Sequence, residues 1–276
     1  MNRIDAHQHF WKFDPVRDSW INDDMRLIKR DFLPEDLQPI LRENNFRGCV
    51  AVQSDQSEGE NHFHFQNAEK FDFIKGIVGW VDLQSPTIEE RLQYYAQFKK
   101  IKGFRHVLQG EPQRDLMLQP RFLNGISFLK KYNFTYDILI FKDQLPYIPK
   151  FAASFPDQPF VIDHIAKPDI KNGEIDQWKK DIKEVAQFEN VYCKISGMVT
   201  EANWMHWKNE DFRPYLDIIV ESFGTNRIMF GSDWPVCLVA ASYKETLDIV
   251  EDYFSLFSKA EQENFFGCNA MHFYNL

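Results

Sequence analysis

Cysteine is scarce in this sequence. The four present, Cys49, Cys193, Cys237 and Cys268, lie far apart and form no C-x-x-C pair. That excludes zinc-ribbon and thioredoxin-like arrangements and leaves disulfides without a role. Cys49 and Cys193 sit in apolar runs, where free buried thiols are common, and a reducing compartment follows as the simplest address. Cationic surplus is also lacking: 32 Lys and Arg stand against 41 Asp and Glu, a net charge of −9. A nucleic-acid partner, whose affinity rests on cation–phosphate contacts, is therefore not expected. No apolar run approaches the roughly 20 residues that span a bilayer, so no membrane partner is expected either. The first residues, Met1-Asn2-Arg3-Ile4-Asp5-Ala6-His7, turn polar too early for a signal peptide, and the expected location is cytoplasmic. Pro/Gly/Ser-rich linkers, low-complexity tracts and short repeats are missing as well, which leaves residues 1–276 as one domain. Oligomeric state is not legible.

Aromatic residues are plentiful, at 16% of the 276, with 26 Phe, 10 Tyr and 7 Trp, so a large ring-rich core is available. A chain of this length buries roughly three quarters of its unfolded surface and needs no covalent staple. Eight short apolar runs recur along it: Ile4–Ala6, Gly48–Val52, Gly76–Val81, Gly103–Arg105, Tyr136–Leu139, Phe160–Asp163, Val191–Ile195 and Ile228–Gly231. Between them lie segments with helical spacing, at Leu33–Asn44, Thr87–Lys99, Pro120–Tyr132, Ile175–Phe188, Phe212–Phe223 and Tyr243–Phe257. Strands apolar throughout, each followed by a helix, imply a parallel sheet covered by helices. Eight such units in about 250 residues is the arithmetic of an α/β fold of the (β/α)8 TIM-barrel type. An extended loop follows the first strand, and a helical segment ends the chain. A doubly wound open sheet would carry a G-x-G-x-x-G turn after its first strand; here the turn reads His7-Gln8-His9.

A barrel places its chemistry at the C-terminal ends of its strands. Polar residues gather there: His7 and His9 after the first strand, Arg105 and His106 after the fourth, and Asp163, His164 and Lys167 after the sixth. Lys194 and Ser196 mark the seventh, and Ser232 and Asp233 the eighth. In extended chain, i and i+2 share a face, so His7 and His9 can both point into the mouth, where neutral imidazoles suit a borderline cation such as Zn²⁺. With His164 and Asp233 they make a mononuclear ligand set, although Asp233 could instead stay free as a general base. The second H-x-H, His62 and His64, falls in a polar helix, where i and i+2 diverge, and reads as surface or partial core. His106 could bind substrate or close a hydrogen bond. Lys167 could anchor its loop or meet a substrate carboxylate. Asp163 is expected on the opposite side of its strand from His164, orienting a neighbour, and His272 is expected to be structural.

Together these motifs carry a resemblance that spans the whole chain. Ile4-Asp5-Ala6-His7-Gln8-His9-Phe10-Trp11 with Asp14-Pro15, Lys102-Gly103-Phe104-Arg105-His106, and Asp163-His164-Ile165-Ala166-Lys167-Pro168 stand in order. Lys194-Ile195-Ser196-Gly197, Gly231-Ser232-Asp233-Trp234-Pro235 and Asn269-Ala270-Met271-His272-Phe273-Tyr274 follow them. The chain resembles the amidohydrolase-2 branch of the amidohydrolase superfamily. Within it, it is similar to the metal-dependent TIM-barrel hydrolases that include L-fuconolactonase and L-rhamnonolactonase. The resemblance implies hydrolysis of a sugar lactone to its open-chain acid, with Asp233 deprotonating the attacking water. The carbonyl would be polarised by one divalent metal, Zn²⁺ in first place, on His7, His9 and His164, or without metal by His164, its neighbouring imidazoles and Arg105. A binuclear centre is not implied, because the strand-four and strand-five positions of its extra ligands read Arg105-His106 and Tyr136-Asp137. Substrate contacts would come from Trp11, His106, Lys167, Lys194 and Trp204, with Trp20, Glu201, His206 and Trp207 in the same loops. Two other readings accompany this one: a decarboxylase using a similar ligand set, and a barrel that binds sugar acids without turning them over.

Overall fold

The apolar runs form eight parallel strands that neighbour one another in sequence order, as seen in a computed structural model describing residues 2–276. They are β1 (Arg3–Gln8), β2 (Phe46–Val52), β3 (Ile74–Gly79), β4 (Ile101–His106), β5 (Thr135–Ile138), β6 (Phe160–Ile162), β7 (Val191–Ile195) and β8 (Ile228–Phe230). The covering helices are α1 (Pro34–Glu43), α2 (Glu58–Lys70), α3 (Ile88–Tyr95), α4 (Pro120–Leu129), α5 (Ile148–Ala153), α6 (Asp176–Val185), α7 (Asn209–Phe223) and α8 (Tyr243–Phe254). Beyond them α9 (Lys259–Glu263), a π-helical turn (Asn264–Cys268) and α10 (Asn269–Tyr274) end the chain. The cover between β5 and β6, a 3-10 segment at Lys142–Tyr147 leading into α5, escapes sequence reading. Pro146 and Pro149 interrupt its pattern, the second being tolerated because it stands in the first turn of α5.

Period-two alternation builds two apolar layers. Cys49, Ala51, Ile77, Phe104, Tyr136, Phe160, Ile162 and Phe230 face outward, in one cluster with Leu92, Phe122, Phe151 and Ile219 of the surrounding helices. Val50, Val52, Val78, Val161 and Met229 face the barrel axis, where Ala270, Phe273 and Tyr274 of α10 join them. The C-terminal helix thus stoppers the floor of the barrel. Arg105, Asp137 and Lys194 fall on the axial side of their strands, above that floor.

Where the sheet meets itself the backbone ladder is thin. A parallel bridge joins Gln8 to Trp234, supported by His9 N donating to Trp234 O (2.7 Å) and Asp233 N donating to His7 O (2.8 Å). Lower in the seam the buried Asp5 carboxylate substitutes for the ladder, accepting from Ser232 N (2.9 Å) and Ser232 Oγ (2.6 Å). Burial pushes this carboxyl up from 3.8 to about 6, against the opposing pull of its Ser232 and His7 hydrogen bonds. The folded state therefore holds the Asp5 proton more tightly than the unfolded chain does, and the stability so gained is present below about pH 4 and lost as pH rises through 6. The urea midpoint of the wild type relative to Asp5→Asn should accordingly fall between pH 4.5 and 7. A difference flat in pH would mean that Asp5 is already ionised across the range.

Candidate active site

A bulge in β1 aims the first two histidines. Asp5 pairs with Cys49 and Gln8 with Ala51, so β1 spends three steps where β2 spends two. The extra residue breaks strict alternation: Asp5 and Gln8 lie on the outer side while Ala6, His7 and His9 turn toward the axis. At the end of β6 the device is different. His164, Ile165, Ala166 and Lys167 all adopt positive φ, between 49° and 58°. That left-handed run abolishes alternation after Ile162. The sequence expectation that Asp163 and His164 take opposite sides is thereby corrected, since both turn toward the barrel axis, Asp163 beneath the cavity and His164 on its wall. Asp233, at φ 57°, turns inward in the same way after β8.

Two glycines make room for the rings. A Cβ on Gly197 (φ +62°) would lie 2.5 Å from His164 Nδ1, and one on Gly231 would lie 2.5 Å from His7 Cβ. His7 and His164 pack edge to face, centroids 4.4 Å apart, and His164 Nδ1 meets Ser196 Oγ at 2.9 Å. His7, His164 and Asp233 each offer a ligand atom, all within 4.8 Å of one another. His9 Nε2 adjoins this group, 3.2 Å from His7 Nε2 and 3.3 Å from Asp233 Oδ1.

The hydrogen bonds show what the group is suited to hold. His9 Nδ1 lies 2.8 Å from Val52 O, an atom that only accepts, so Nδ1 carries the hydrogen and Nε2 presents a lone pair. That lone pair faces a carboxylate oxygen. Two acceptors 3.3 Å apart repel unless a proton or a cation lies between them. Burial holds His7 and His164 well below the usual imidazole range, keeping both neutral and basic toward a metal. For Asp233, burial opposes ionisation, but the charges around it, Lys167 among them, outweigh it and the carboxyl is lowered. Neutral imidazoles converging with an ionised carboxylate fit one divalent cation.

Arg105 and Lys194 stand behind this cluster. The Arg105 guanidinium donates to Asp163 Oδ2 (2.9 Å) and Gln53 O, and its Nη1 is 3.3 Å from His7 Nε2. Lys194 is fully buried, its Nζ 2.5 Å from Asp137 Oδ2, 3.0 Å from Asp163 Oδ1 and 3.1 Å from His7 Nδ1. The strand-four and strand-five positions thus hold a pinned guanidinium and a sequestered carboxylate, neither of which offers a ligand to a second ion.

A cavity of about 290 Å³ opens above the cluster, lined by His9, Trp11, Trp20, Ser54, Arg105, Gln109, His164, Lys167 and Asp233, with apolar Val107, Leu139 and Val236. Of the substrate contacts expected from sequence, Trp11 and Lys167 lie on this wall. The other three do not. Lys194 is spent beneath the floor. His106, on the outward face of β4, bonds Glu111 Oε1 at 2.7 Å and packs its ring against Phe122. Trp204 lines a separate groove with Leu27, Glu201 and Met205, its indole N–H donating to Thr200 O. Ser54 and Gln109 were not singled out in the sequence, although Ser54 follows β2 closely enough for the strand-end rule to have found it. His62 is exposed on α2 and His64 is buried in it, away from the cavity.

Comparison with known proteins finds relatives that span the whole chain. The amidohydrolase family model matches residues 4–276. An L-fucono-1,5-lactonase from Burkholderia multivorans is 36% identical over 285 residues, covering 99% of this chain and 96% of its own length. A second, from Burkholderia ambifaria, is 33% identical with the same coverage. A crystal structure of an amidohydrolase from Burkholderia multivorans with bound Zn superposes with a TM-score of 0.95 at 37% identity, covering 100% of both chains.

The clearance at Gly197 can be probed directly. Gly197→Ala should fold but weaken divalent-metal binding by about tenfold or more, as loss of ligand orientation commonly does. Chelator competition measures it, and wild-type affinity would show that the His164 ring has room to spare.

Proposed function

The chain belongs to the amidohydrolase family, and we propose that it opens a six-membered sugar lactone, an aldono-1,5-lactone, to the free sugar acid, using one Zn²⁺. The observation that carries this is the convergence of His7, His9, His164 and Asp233 at the floor of a small cavity beside the fixed positive charge of Arg105. Two curated relatives that share its full length are named L-fucono-1,5-lactonase. A cavity of about 290 Å³ accommodates a single sugar ring.

A divalent ion on these side chains would polarise the lactone carbonyl and acidify a bound water, and an imidazole-rich donor set favours Zn²⁺. The chain's own residues do the rest. Asp233 accepts a proton from water as its oxygen bonds to the carbonyl carbon. Negative charge then develops on the former carbonyl oxygen, and Arg105, close by and unable to lose its proton, favours it. Fixed charge or hydrogen-bond donors at such an oxygen contribute on the order of 3 kcal/mol each. As the tetrahedral intermediate collapses, the bond from the carbonyl carbon to the ring oxygen breaks. Asp233 returns its proton to that oxygen, leaving a hydroxyl and a carboxylic acid. Trp11, held by its N–H to Arg30 O, gives the ring a flat apolar wall, with Trp20 edge-on beside it. Lys167, Ser54 and Gln109 supply polar groups that read the hydroxyls.

The experiment is acid release, followed with a pH indicator, across a panel of aldono-lactones before chelation, after it, and after Zn²⁺ is restored. Activity should appear on 1,5-lactones, vanish on chelation and return with the metal. Asp233→Asn should fold normally and lose a factor of about 10²–10⁴ in kcat/KM. Silence on every lactone, with CO₂ released from a hydroxybenzoate instead, would move the protein to the decarboxylases. Near-normal kcat/KM in Asp233→Asn would remove Asp233 from the base role.

A further inference from the structure

His7 Nδ1 lies between two groups with opposite demands. Asp163 Oδ1, at 3.2 Å, can only accept, and Lys194 Nζ, at 3.1 Å, can only donate. The two choices give different rings. If Nδ1–H donates to Asp163, the Nε2 lone pair faces the mouth and can take a metal. If Lys194 donates to Nδ1, the hydrogen moves to Nε2, pointing at His9 Nε2 3.2 Å away, and the ligand atom is lost. Arg105 Nη1, 3.3 Å from Nε2 and also only a donor, favours the first form, so the choice rests on how firmly the ammonium at 3.1 Å from Nδ1 is engaged by its other partners.

That restraint comes from the opposite end of the chain. Lys194 Nζ is 2.5 Å from Asp137 Oδ2, and the same oxygen accepts the Tyr274 hydroxyl at 2.8 Å. Asp137 Oδ1 has no hydrogen-bond partner among the described residues, so the orientation of this carboxylate rests on the two donors at Oδ2. Tyr274 is 1% exposed, at the tip of the helix that stoppers the barrel. An unbroken line of polar contacts therefore runs from Tyr274 through Asp137, Lys194 and Asp163 to His7.

We propose that Tyr274 and Asp137 are positioning residues for the metal centre: by anchoring Lys194 they keep His7 in the tautomer whose Nε2 lone pair faces the site. This rests on the reading of His7 as a ligand. Removing only the hydroxyl frees Asp137 to rotate, loosens its hold on the ammonium and lets that ammonium, already 3.1 Å from His7 Nδ1, donate to it more strongly.

The test compares Tyr274→Phe with Phe273→Leu, which loosens the same stopper without touching the polar line. In metal-free protein labelled with ¹⁵N-histidine, the His7 nitrogen shifts report the tautomer, with His7→Gln providing the assignment. Tyr274→Phe should move His7 toward the Nε2–H form and weaken Zn²⁺ binding, by chelator competition, about tenfold, within the range seen for partners of ligating histidines. Phe273→Leu should lower the melting temperature and leave both readouts at wild type. Wild-type shifts in Tyr274→Phe, or equal changes in the two variants, would overturn the proposal. If wild-type protein binds no Zn²⁺ at all, the ligand reading fails separately, and the nitrogen shifts still decide whether Tyr274 governs the tautomer.

Discussion

Four charges lie in the middle of this barrel and have to cancel there. Arg105 and Lys194 face Asp137 and Asp163 on the axis, with water excluded from all four side chains or nearly so. Transfer of each ion out of water costs several kcal/mol, and pairing recovers that only with good geometry. A layer of Val and Ile would stabilise this level of the barrel at least as well. The ionic layer supplies direction instead: its salt bridges fix the angle of each side chain, and His7 sits against three of the four. Asp163 shows the consequence. Burial alone would raise its carboxyl, yet Lys194, His7 and Arg105 hold it well below the usual range, an acceptor at any working pH.

The mouth above this layer is built from backbone that most sequences avoid. His164 through Lys167 hold four successive left-handed conformations, one of them at the β-branched Ile165, and Asp233 holds another. Each such residue costs on the order of 1–3 kcal/mol unless its surroundings enforce it. Here they do. Trp178 donates its indole N–H to Ile165 O (2.8 Å), Lys167 N donates to His164 O (2.8 Å), and Asp233 N is tied to His7 O. The gain is position. Regular strands would leave His164 and Asp233 on faces set by alternation, whereas the turned backbone brings both to the one place where His7 and His9 already point.

Much of this was legible beforehand, and the boundary of legibility has a physical cause. Strand identity could be read because both faces of a barrel strand are apolar, and the side on which Arg105 and Lys194 lie follows from period two. The histidines at the end of β1 and the aspartate after β8 were legible through the strand-end rule. The bulge in β1 was not, because it is defined by pairing with β2 and leaves no mark in β1 alone. Lys194 illustrates the larger difficulty. At the end of a strand a lysine reads as a substrate contact, and only its partners show otherwise: Asp137 lies 57 residues away, itself bonded to Tyr274 another 137 further on. His106, next to the inward Arg105, falls on the outer face by period two and closes a hydrogen bond to Glu111, one of the two roles its place at the strand end allowed.

Charge accounting at the mouth ties the layer to the chemistry. The axial set of two cations and two anions is neutral. Lys167 and Glu201, 3.7 Å apart, nearly cancel as well, and burial keeps His7 and His164 uncharged. What is left uncompensated beside the cavity is the carboxylate of Asp233, buried among lone pairs. A site with one surplus negative charge and several basic nitrogens attracts a cation, and that cation raises the electrophilicity of whatever carbonyl lies in the cavity. The same carboxylate is the nearest base to a water there. One charge without a cation of its own thus serves both needs, and it can do so because the axial charges and Lys167 have been given partners.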